Sequence, residues 1–220
     1  MRLAAGTALA LALAAVPAAA HEPAVPRLGF EPPAPGTYTL HRIMAAPDGE
    51  VLDLDGRSRR LRDVLRGRIT VLGLIYTTCI DAEGCPRTLP VFDAVRHAAE
   101  DRGRLRAQLQ LVTLSFDPER DTPAAMRGYA GARAAARAGG VPWHFFTTRS
   151  PGALTPLLEG FGQDVRATVV PRDGAPRRDI SHVLKVFLID STSDVREIYG
   201  ADFLHPTIVL NDIRTLVDER

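Results

Sequence analysis

The stretch ITVLGLIYTTCIDAEGCP, residues 69–86, decides the fold. Its first eight residues are mostly apolar and include β-branched side chains, a pattern typical of a strand buried on both faces of a parallel sheet. Cys79 and Cys85, the only cysteines in the chain, follow directly in a loop. Because Pro86 suits the first position of a helix, Cys85 is predicted to occupy the helix N-cap.

The rest of the chain alternates between strand and helix patterns. Strands are predicted at 51–54, 109–116, 143–148, 183–189 and 195–199, and helical segments at 61–65, 86–103, 123–139, 151–161 and from 206 onward. Residues 162–179, rich in Gly, Pro and Arg, are interpreted as a long loop. This order predicts an α/β fold with a mixed sheet, and a thioredoxin-like arrangement fits it.

Three regions are expected along the chain. Residues 1–20 are typical of a secretory signal peptide, with Arg2 at its start, a short apolar run, and small residues before a cut after Ala20. Residues 21–50 form a proline-rich extension, and residues 51–220 form the folded domain. We therefore expect a periplasmic or otherwise exported protein with no membrane span after cleavage; the alternative is an uncleaved N-terminal anchor.

The charge balance excludes some classes of partner. Loss of residues 1–20 removes Arg2 and no acidic residue, which leaves equal numbers of basic and acidic side chains. No nucleic-acid partner is predicted, because the chain lacks a bulk positive field. It also lacks the Gly-rich phosphate loop and the G-x-S-x-G motif of common enzymes.

The cysteine pair admits three interpretations: a structural disulfide, a redox couple or a soft-metal site. Cys79 is expected at the carboxyl end of a buried strand, where ligands gather in α/β sheets. A helix N-terminus lowers the pKa of a thiol such as Cys85, whereas the carboxylates of Asp81 and Glu83 oppose a further negative charge. Two thiolates suit Cu(I) or zinc but need another ligand.

A histidine is the natural third ligand. His182 follows the long loop and comes just before a predicted strand, although a lone loop histidine is normally solvated. His21, as a new N-terminus, offers an alternative copper site through its amine and imidazole. The others are interpreted as surface, structural or helix-capping residues: His41, His97, His144 and His205.

Carboxylates at Asp117, Glu119 and Asp121 form a second candidate cluster. Asp121 and Thr122 are better interpreted as a turn and N-cap before a helix. A catalytic role for this cluster is the weaker alternative, and proximity to the cysteine loop would make it part of an acceptor surface.

Tyr76-Thr77-x-Cys79…Cys85-Pro86 resembles the T-x-C-x-x-x-C-P signature of the Sco/SenC family, copper-binding thioredoxin-like assembly factors for cytochrome oxidase. Further segments resemble the family in the same order: 53–67, 114–122 (LSFDPERDT), 143–147 and 182–190. The resemblance implies copper as the cofactor, with Cys79, Cys85 and His182 as its ligands. It also implies a cuproprotein acceptor, such as a cytochrome oxidase subunit.

The chain departs from the family in one respect, because its cysteines are spaced C-x5-C instead of C-x-x-x-C. A longer loop still allows the sulfurs to converge, since closure entropy grows slowly with length. The resemblance favours a metallochaperone over an enzyme. The alternative is a thiol–disulfide oxidoreductase that uses Cys79 and Cys85 as a redox pair to reduce partner cysteines before metallation. A peroxidase is disfavoured, because no proline precedes Thr77 in the pattern that peroxiredoxins use.

Overall fold

The computed structural model describes residues 28–81, 84–135, 139–172 and 175–219. The predicted signal peptide and His21 lie outside the described residues, as do Ala82 and Glu83 of the cysteine loop. The extents of the predicted signal, extension and domain therefore stay predictions.

Within these residues the strands are β1 (Met44–Ala45), β2 (Glu50–Leu52), β3 (Ser58–Arg60), β4 (Ile69–Ile75), β5 (Leu109–Ser115), β6 (Trp143–Phe146), β7 (Val165–Arg172), β8 (Ala175–His182), β9 (Val186–Ile189) and β10 (Asp194–Tyr199). The α-helices are α1 (Leu61–Leu65), α2 (Thr88–Glu100), α3 (Gly103–Gln108), α4 (Pro123–Ala130), α5 (Pro151–Gly160) and α6 (Pro206–Asp218). Two short 3₁₀ turns, Cys85–Arg87 and Gly131–Ala134, precede α2 and follow α4.

The central sheet is mixed, with the strand order β1-β10-β9-β4-β5-β6. β4, β5 and β6 run parallel, whereas β9 is antiparallel to β4, and β10 and β1 continue the antiparallel half. Every residue of β4, β5 and β9 is buried, as expected for strands covered on both faces. The predicted α/β fold with a mixed sheet is confirmed.

Gly73 in the middle of β4 lets α2 approach the sheet closely. A Cβ atom there would lie 2.7 Å from Thr88 Cγ2 and 3.2 Å from Phe92 Cζ, both on α2. The first distance is shorter than real Cβ contacts and the second is tighter than most of them, so any larger residue at this position would force α2 or the Thr88 side chain to shift. The helix that begins just after Cys85 is thereby held directly over the strand that ends just before Cys79.

Three predicted elements differ from the structure. The strand predicted at 183–189 begins only at Val186. The prediction of a long loop at 162–179 is wrong, because β7 and β8 pair there as an antiparallel hairpin. Val165 and His182 form the pair at the end of the hairpin opposite its turn. The predicted helix 123–139 is too long: α4 ends at Ala130, because Gly131 has a positive φ of 52°, and a 3₁₀ turn follows.

The described part of the proline-rich extension packs on α6. The amide of Gly36 donates to Thr215 Oγ1 at 3.0 Å, and Asn211 Nδ2 donates to the Pro33 carbonyl at 2.8 Å. The Tyr38 hydroxyl donates to Asp212, whose other carboxyl oxygen accepts from Tyr199 at 2.7 Å. These contacts tie the extension to the last helix and to β10.

No helix in the described part of the chain has the length and apolar character needed to cross a membrane.

Candidate metal centre

The two cysteines lie at the carboxyl end of β4. The Cys79 amide donates to the Tyr76 carbonyl at 3.2 Å, which turns the chain directly after the strand. Cys79 is half-buried and Cys85 is buried, and both are free thiols. Gly84, and not Cys85 as predicted, is the N-cap, because the Arg87 amide bonds to the Gly84 carbonyl and starts a 3₁₀ turn before α2.

His182 is the last residue of β8, at the open end of the hairpin, where it pairs with Val165. The hairpin is fastened at this end by Gln163, whose Nε2 donates to the Val183 carbonyl at 3.0 Å. Lys185 Nζ donates to the Gly162 carbonyl nearby. Both ends of the hairpin therefore lie beside β9. The hairpin brings His182 to the cysteine loop, although His182 and Cys85 are 97 positions apart in sequence.

The structure brings Cys79, Cys85 and His182 together. One ligand atom from each residue lies within 4.8 Å of the other two, and this is the one such group of three or more His, Cys, Asp or Glu residues within the described ranges. His182 Nε2 lies 3.2 Å from Cys85 Sγ. His182 Nδ1 lies 3.0 Å from the Ile180 carbonyl, which can only accept a hydrogen bond, so Nδ1 carries the proton and Nε2 faces the sulfurs.

Aromatic rings surround the imidazole. The Tyr76 ring meets the His182 ring edge-on at a centroid distance of 5.5 Å, and the Phe116 ring lies 5.0 Å from it. Tyr76 and Phe116 also contact each other at 5.3 Å. Because Tyr76 directly follows β4 and Phe116 directly follows β5, the sheet itself sets the orientation of the imidazole.

The two thiols have opposed pKa shifts. A hydrogen bond from the Cys85 thiol lowers the pKa of Cys79 to about 4; burial acts in the opposite direction, and a hydrogen bond with His182 adds to the lowering. The same bond with Cys79, together with burial, raises the pKa of Cys85 well above its usual range. The pair therefore shares one proton, with the negative charge on the more exposed sulfur.

The pKa of His182 is raised. Burial alone lowers it, but hydrogen bonds with the Cys79 sulfur and the Ile180 carbonyl outweigh burial. His182 Nε2 lies close to the Cys85 sulfur, yet Cys79 has the larger effect on the pKa of His182 because Cys79 carries the charge. The metal-free site thus favours a thiolate on Cys79 with a hydrogen-bonded imidazole beside it.

Asp121 anchors the start of the cysteine loop. Its carboxylate accepts from the Thr77 amide at 3.0 Å, from Thr77 Oγ1 at 2.5 Å, and from the Ser115 hydroxyl. The interpretation of Asp121 and Thr122 as a turn and N-cap is confirmed, because the Asp121 amide closes a turn on the Asp117 carbonyl at 2.8 Å and Thr122 caps α4 by accepting from the Ala125 amide. Asp121 is 1% exposed and reaches across from the end of β5 to the end of β4.

The other candidate residues lie apart from the centre. His144 stacks on Phe146 in β6, and burial lowers its pKa. His205 caps α6 by accepting from the Thr207 amide at 3.1 Å, as predicted. His41 and His97 are exposed. Asp117 is buried and Glu119 is exposed, and neither belongs to the group of three.

Comparison with known proteins identifies a family. The sequence model described as SCO1/SenC matches residues 47–218, which includes all three residues of the centre. The comparison with curated proteins finds no significant match.

Solved structures share the fold at low sequence identity. The copper-bound ScoI of Arabidopsis thaliana is 19% identical, with a TM-score of 0.63, and covers 80% of this chain and 100% of its own. The apo Sco1 of Thermus thermophilus is 21% identical, with a TM-score of 0.63, and covers 82% and 95%. BsSco, described with a disulfide switch and as a member of the Sco family of cytochrome c oxidase assembly proteins, is 21% identical, with a TM-score of 0.56, and covers 80% and 95%. These matches confirm the predicted thioredoxin-like arrangement.

Proposed function

The chain belongs to the SCO1/SenC family, and on that basis we propose that it is an exported copper-binding assembly factor. Cys79 and Cys85 serve as thiolate ligands and His182 as the imidazole ligand. The copper is cargo, which the protein delivers to a cuproprotein acceptor such as a cytochrome oxidase subunit.

One observation carries this proposal: two sulfurs and one imidazole nitrogen, remote in sequence, lie within 4.8 Å of one another. Thiolates are soft ligands that favour Cu(I), and an imidazole suits either oxidation state of copper. The donor set therefore fits copper. The C-x5-C spacing does not prevent the sulfurs from converging with the imidazole.

Each of the three ligands, Cys79, Cys85 and His182, has a distinct role when copper binds. The lowered pKa of Cys79 supplies a thiolate at neutral pH, so the first bond to the metal forms without loss of a proton. Cys85 holds its proton more tightly and must release it when the metal binds. The Ile180 carbonyl keeps the proton of His182 on Nδ1, which leaves Nε2 free to coordinate.

Transfer by ligand exchange requires that an acceptor reach the site. Cys79 and His182 are partly exposed, whereas Cys85 is buried. Ile80 and Val183, which adjoin these two ligands in sequence, are 70% and 65% exposed. An acceptor can thus contact the apolar side chains of Ile80 and Val183. It can then replace the partly exposed ligands, Cys79 and His182, before the buried ligand Cys85.

Copper titration of the reduced protein tests the proposal. We expect one copper per chain, retained against a modest chelator, and loss of that retention in Cys79→Ser, Cys85→Ser and His182→Ala. His97→Ala is the matched control, since His97 is exposed on α2 and should leave binding unchanged. Equal copper retention in His182→Ala and wild type would contradict the proposed ligand set.

A second candidate function is a thiol–disulfide reductase acting on partner cysteines before metallation. The specific observation in its favour is a pair of free, adjacent thiols, one of which has a pKa lowered to about 4. In such an exchange Cys79 attacks a partner disulfide, and Cys85 then attacks the mixed disulfide, which leaves the partner reduced and Cys79–Cys85 oxidised.

Mixed-disulfide trapping separates the two functions. A reductase lacking the resolving thiol, Cys85→Ser, should accumulate a covalent complex with a disulfide substrate through Cys79. His182→Ala should then retain thiol exchange while losing copper. If Cys85→Ser traps no disulfide partner, the reductase candidate is excluded.

A further inference from the structure

A cavity of about 400 Å³ lies between β10, α6 and the proline-rich extension, and none of the three copper ligands lines it. Phe30 of the extension and Phe203, which follows β10, contribute aromatic rings whose centroids are 6.4 Å apart. Both side chains are more than half exposed, so they lie towards the solvent. Leu40 and Ile208 add aliphatic surface. This size and this mainly apolar lining are typical of a ligand site.

Two acidic side chains line the same cavity. Asp212 is 6% exposed, and its two carboxyl oxygens accept from the Tyr38 and Tyr199 hydroxyls. Glu197 is partly buried, and its Oε1 accepts from the Ile198 amide at 2.8 Å. Burial raises the pKa of both carboxyls, and no positively charged side chain in the described part of the chain opposes this rise. The cavity thus combines aromatic rings with carboxylates that lack a counterion.

The cavity and the metal centre share one edge of the central sheet. Tyr199, at the end of β10, pairs with Val186 at the start of β9, and Val186 pairs with Gly73 near the end of β4. The strand order places β10 two strands away from β4, which is about 10 Å at the usual spacing of strands. A protein that approaches the cysteine loop can therefore also reach the cavity.

We propose that this cavity binds an arginine side chain of the protein that receives the copper. Only the identity of that protein rests on the proposed function; the binding of arginine does not. A guanidinium group can form paired hydrogen bonds with the Glu197 carboxylate and stack on the exposed ring of Phe30 or Phe203. The aliphatic part of the arginine side chain matches the apolar surface of Leu40 and Ile208.

Charge complementarity favours arginine over other side chains. A neutral apolar group in the cavity would bury Glu197 further without a counterion, which costs free energy. An acidic group would add a like charge to those of Glu197 and Asp212. A lysine supplies the positive charge but lacks the planar set of donors that matches a carboxylate.

An NMR titration of the reduced, metal-free protein with Nα-acetyl-arginine amide tests the proposal. We expect saturable shifts of the amide signals of residues 197–199 and of α6. The citrulline analogue has nearly the same shape without the charge, and it should bind about tenfold more weakly. The lysine analogue should also bind more weakly than the arginine compound. Equal binding of either analogue would overturn the assignment to arginine.

Two variants test the residues of the cavity. Glu197→Gln removes the charge and keeps the shape, so the affinity for the arginine compound should fall about tenfold. Phe203→Leu removes one ring, and the affinity should fall about threefold. Glu159→Gln, at an exposed position of α5, is the matched control and should bind as wild type does. Wild-type affinity in Glu197→Gln, or an equal loss in Glu159→Gln, would overturn the proposal.

Copper titration of the same proteins separates this proposal from the proposed function. Glu197→Gln should hold one copper as wild type does, because Glu197 is not part of the group formed by the two cysteines and His182. If wild type holds no copper but binds the arginine compound, the proposed function fails, and the arginine site stands without its assigned partner. If copper binds and the arginine compound shifts no signal of β10 or α6, only the arginine site is overturned.

Discussion

At the scale of single residues, the sequence identifies the sulfurs and the imidazole but not the residues that hold them. Cys79 and Cys85 stand out because the chain contains no other cysteine. The role of Asp121 in holding the cysteine loop could not be predicted, because the sequence Asp-Thr-Pro is also typical of a helix start. In addition, Asp121 and Thr77, which are hydrogen-bonded, are 44 positions apart in sequence. The only available signal was that Thr77 and Asp121 both follow the ends of predicted neighbouring strands.

The pH dependence of Cys79 reactivity is a first prediction. A pKa lowered from 9.0 to about 4 means that the thiolate persists as pH falls, so alkylation should stay fast down to about pH 5 and slow only below that. An ordinary cysteine slows already below pH 9. Iodoacetamide kinetics on the reduced, metal-free protein, resolved by peptide mass analysis, measure this profile.

The cause of the shift is testable in the same experiment. Cys85→Ala removes the thiol that donates to Cys79, the largest cause of the lowered pKa. The midpoint of the Cys79 profile should then move upward. A midpoint near pH 9 in wild type, or no movement in Cys85→Ala, would contradict the electrostatic description of the pair.

Asp121→Asn is a second prediction. The amide keeps the shape of the carboxylate, but its NH₂ group turns towards donors that need an acceptor, so at least one bond to Thr77 or Ser115 is lost. We expect a loss of about 1–3 kcal/mol in the free energy of unfolding and weaker copper retention, measured by urea unfolding and chelator competition. Glu119→Gln, a change at an exposed neighbour, is the control and should alter both quantities little.

At the scale of elements, the buried strands were predictable and the hairpin was not. β4, β5 and β9 consist mostly of apolar residues because both faces are covered. Among the described residues β7 and β8 pair only with each other, and residues 166–169 of β7 are exposed. Neither strand carries a continuous apolar run like that of β4. The hairpin nevertheless determines where His182 lies.

The hydrogen bond from Gln163 to the Val183 carbonyl, at the base of the hairpin, leads to a third prediction. Gln163→Ala removes the bond to the Val183 carbonyl at the base of the hairpin, so the arm that bears His182 should open more often. We expect faster hydrogen exchange of β7 and β8 amides and faster copper release, at a cost of about 1 kcal/mol in global stability.

Thr168→Ala, on the exposed part of β7, is the matched control for this change. It leaves the base of the hairpin intact and should not affect copper release. Similar exchange rates in Gln163→Ala and wild type would show that Gln163 does not restrain the arm.

At the scale of the whole molecule, the sequence predicted the order of elements and the mixed sheet, but not the docking of the extension. Residues 21–50 are predicted as an extension ahead of the domain, yet β1 within this range joins the central sheet and Leu40 is buried in the core. Their bonds to α6 join positions 174 to 179 residues apart, which no local pattern reveals. The extension and the last helix therefore stabilise each other.

Tyr38→Phe tests that coupling as a fourth prediction. Burial raises the pKa of Asp212, while the bonds from Tyr38 and Tyr199 lower it, so losing one donor raises that pKa further. A folded-state pKa above the unfolded value lowers stability once pH exceeds both values. Tyr38→Phe should thus cost about 1–2 kcal/mol at pH 7 and less at acid pH, where Asp212 is protonated in both states; urea unfolding at each pH measures it.

The central claim is that two sulfurs and one imidazole bind a single copper ion. X-ray absorption of the copper-loaded protein, compared with His182→Ala, tests it most directly, because the spectrum counts sulfur and nitrogen neighbours. We predict two sulfurs and one imidazole nitrogen in wild type, with the nitrogen lost in the variant. A wild-type spectrum with fewer than two sulfurs, or one that His182→Ala leaves unchanged, would contradict the account.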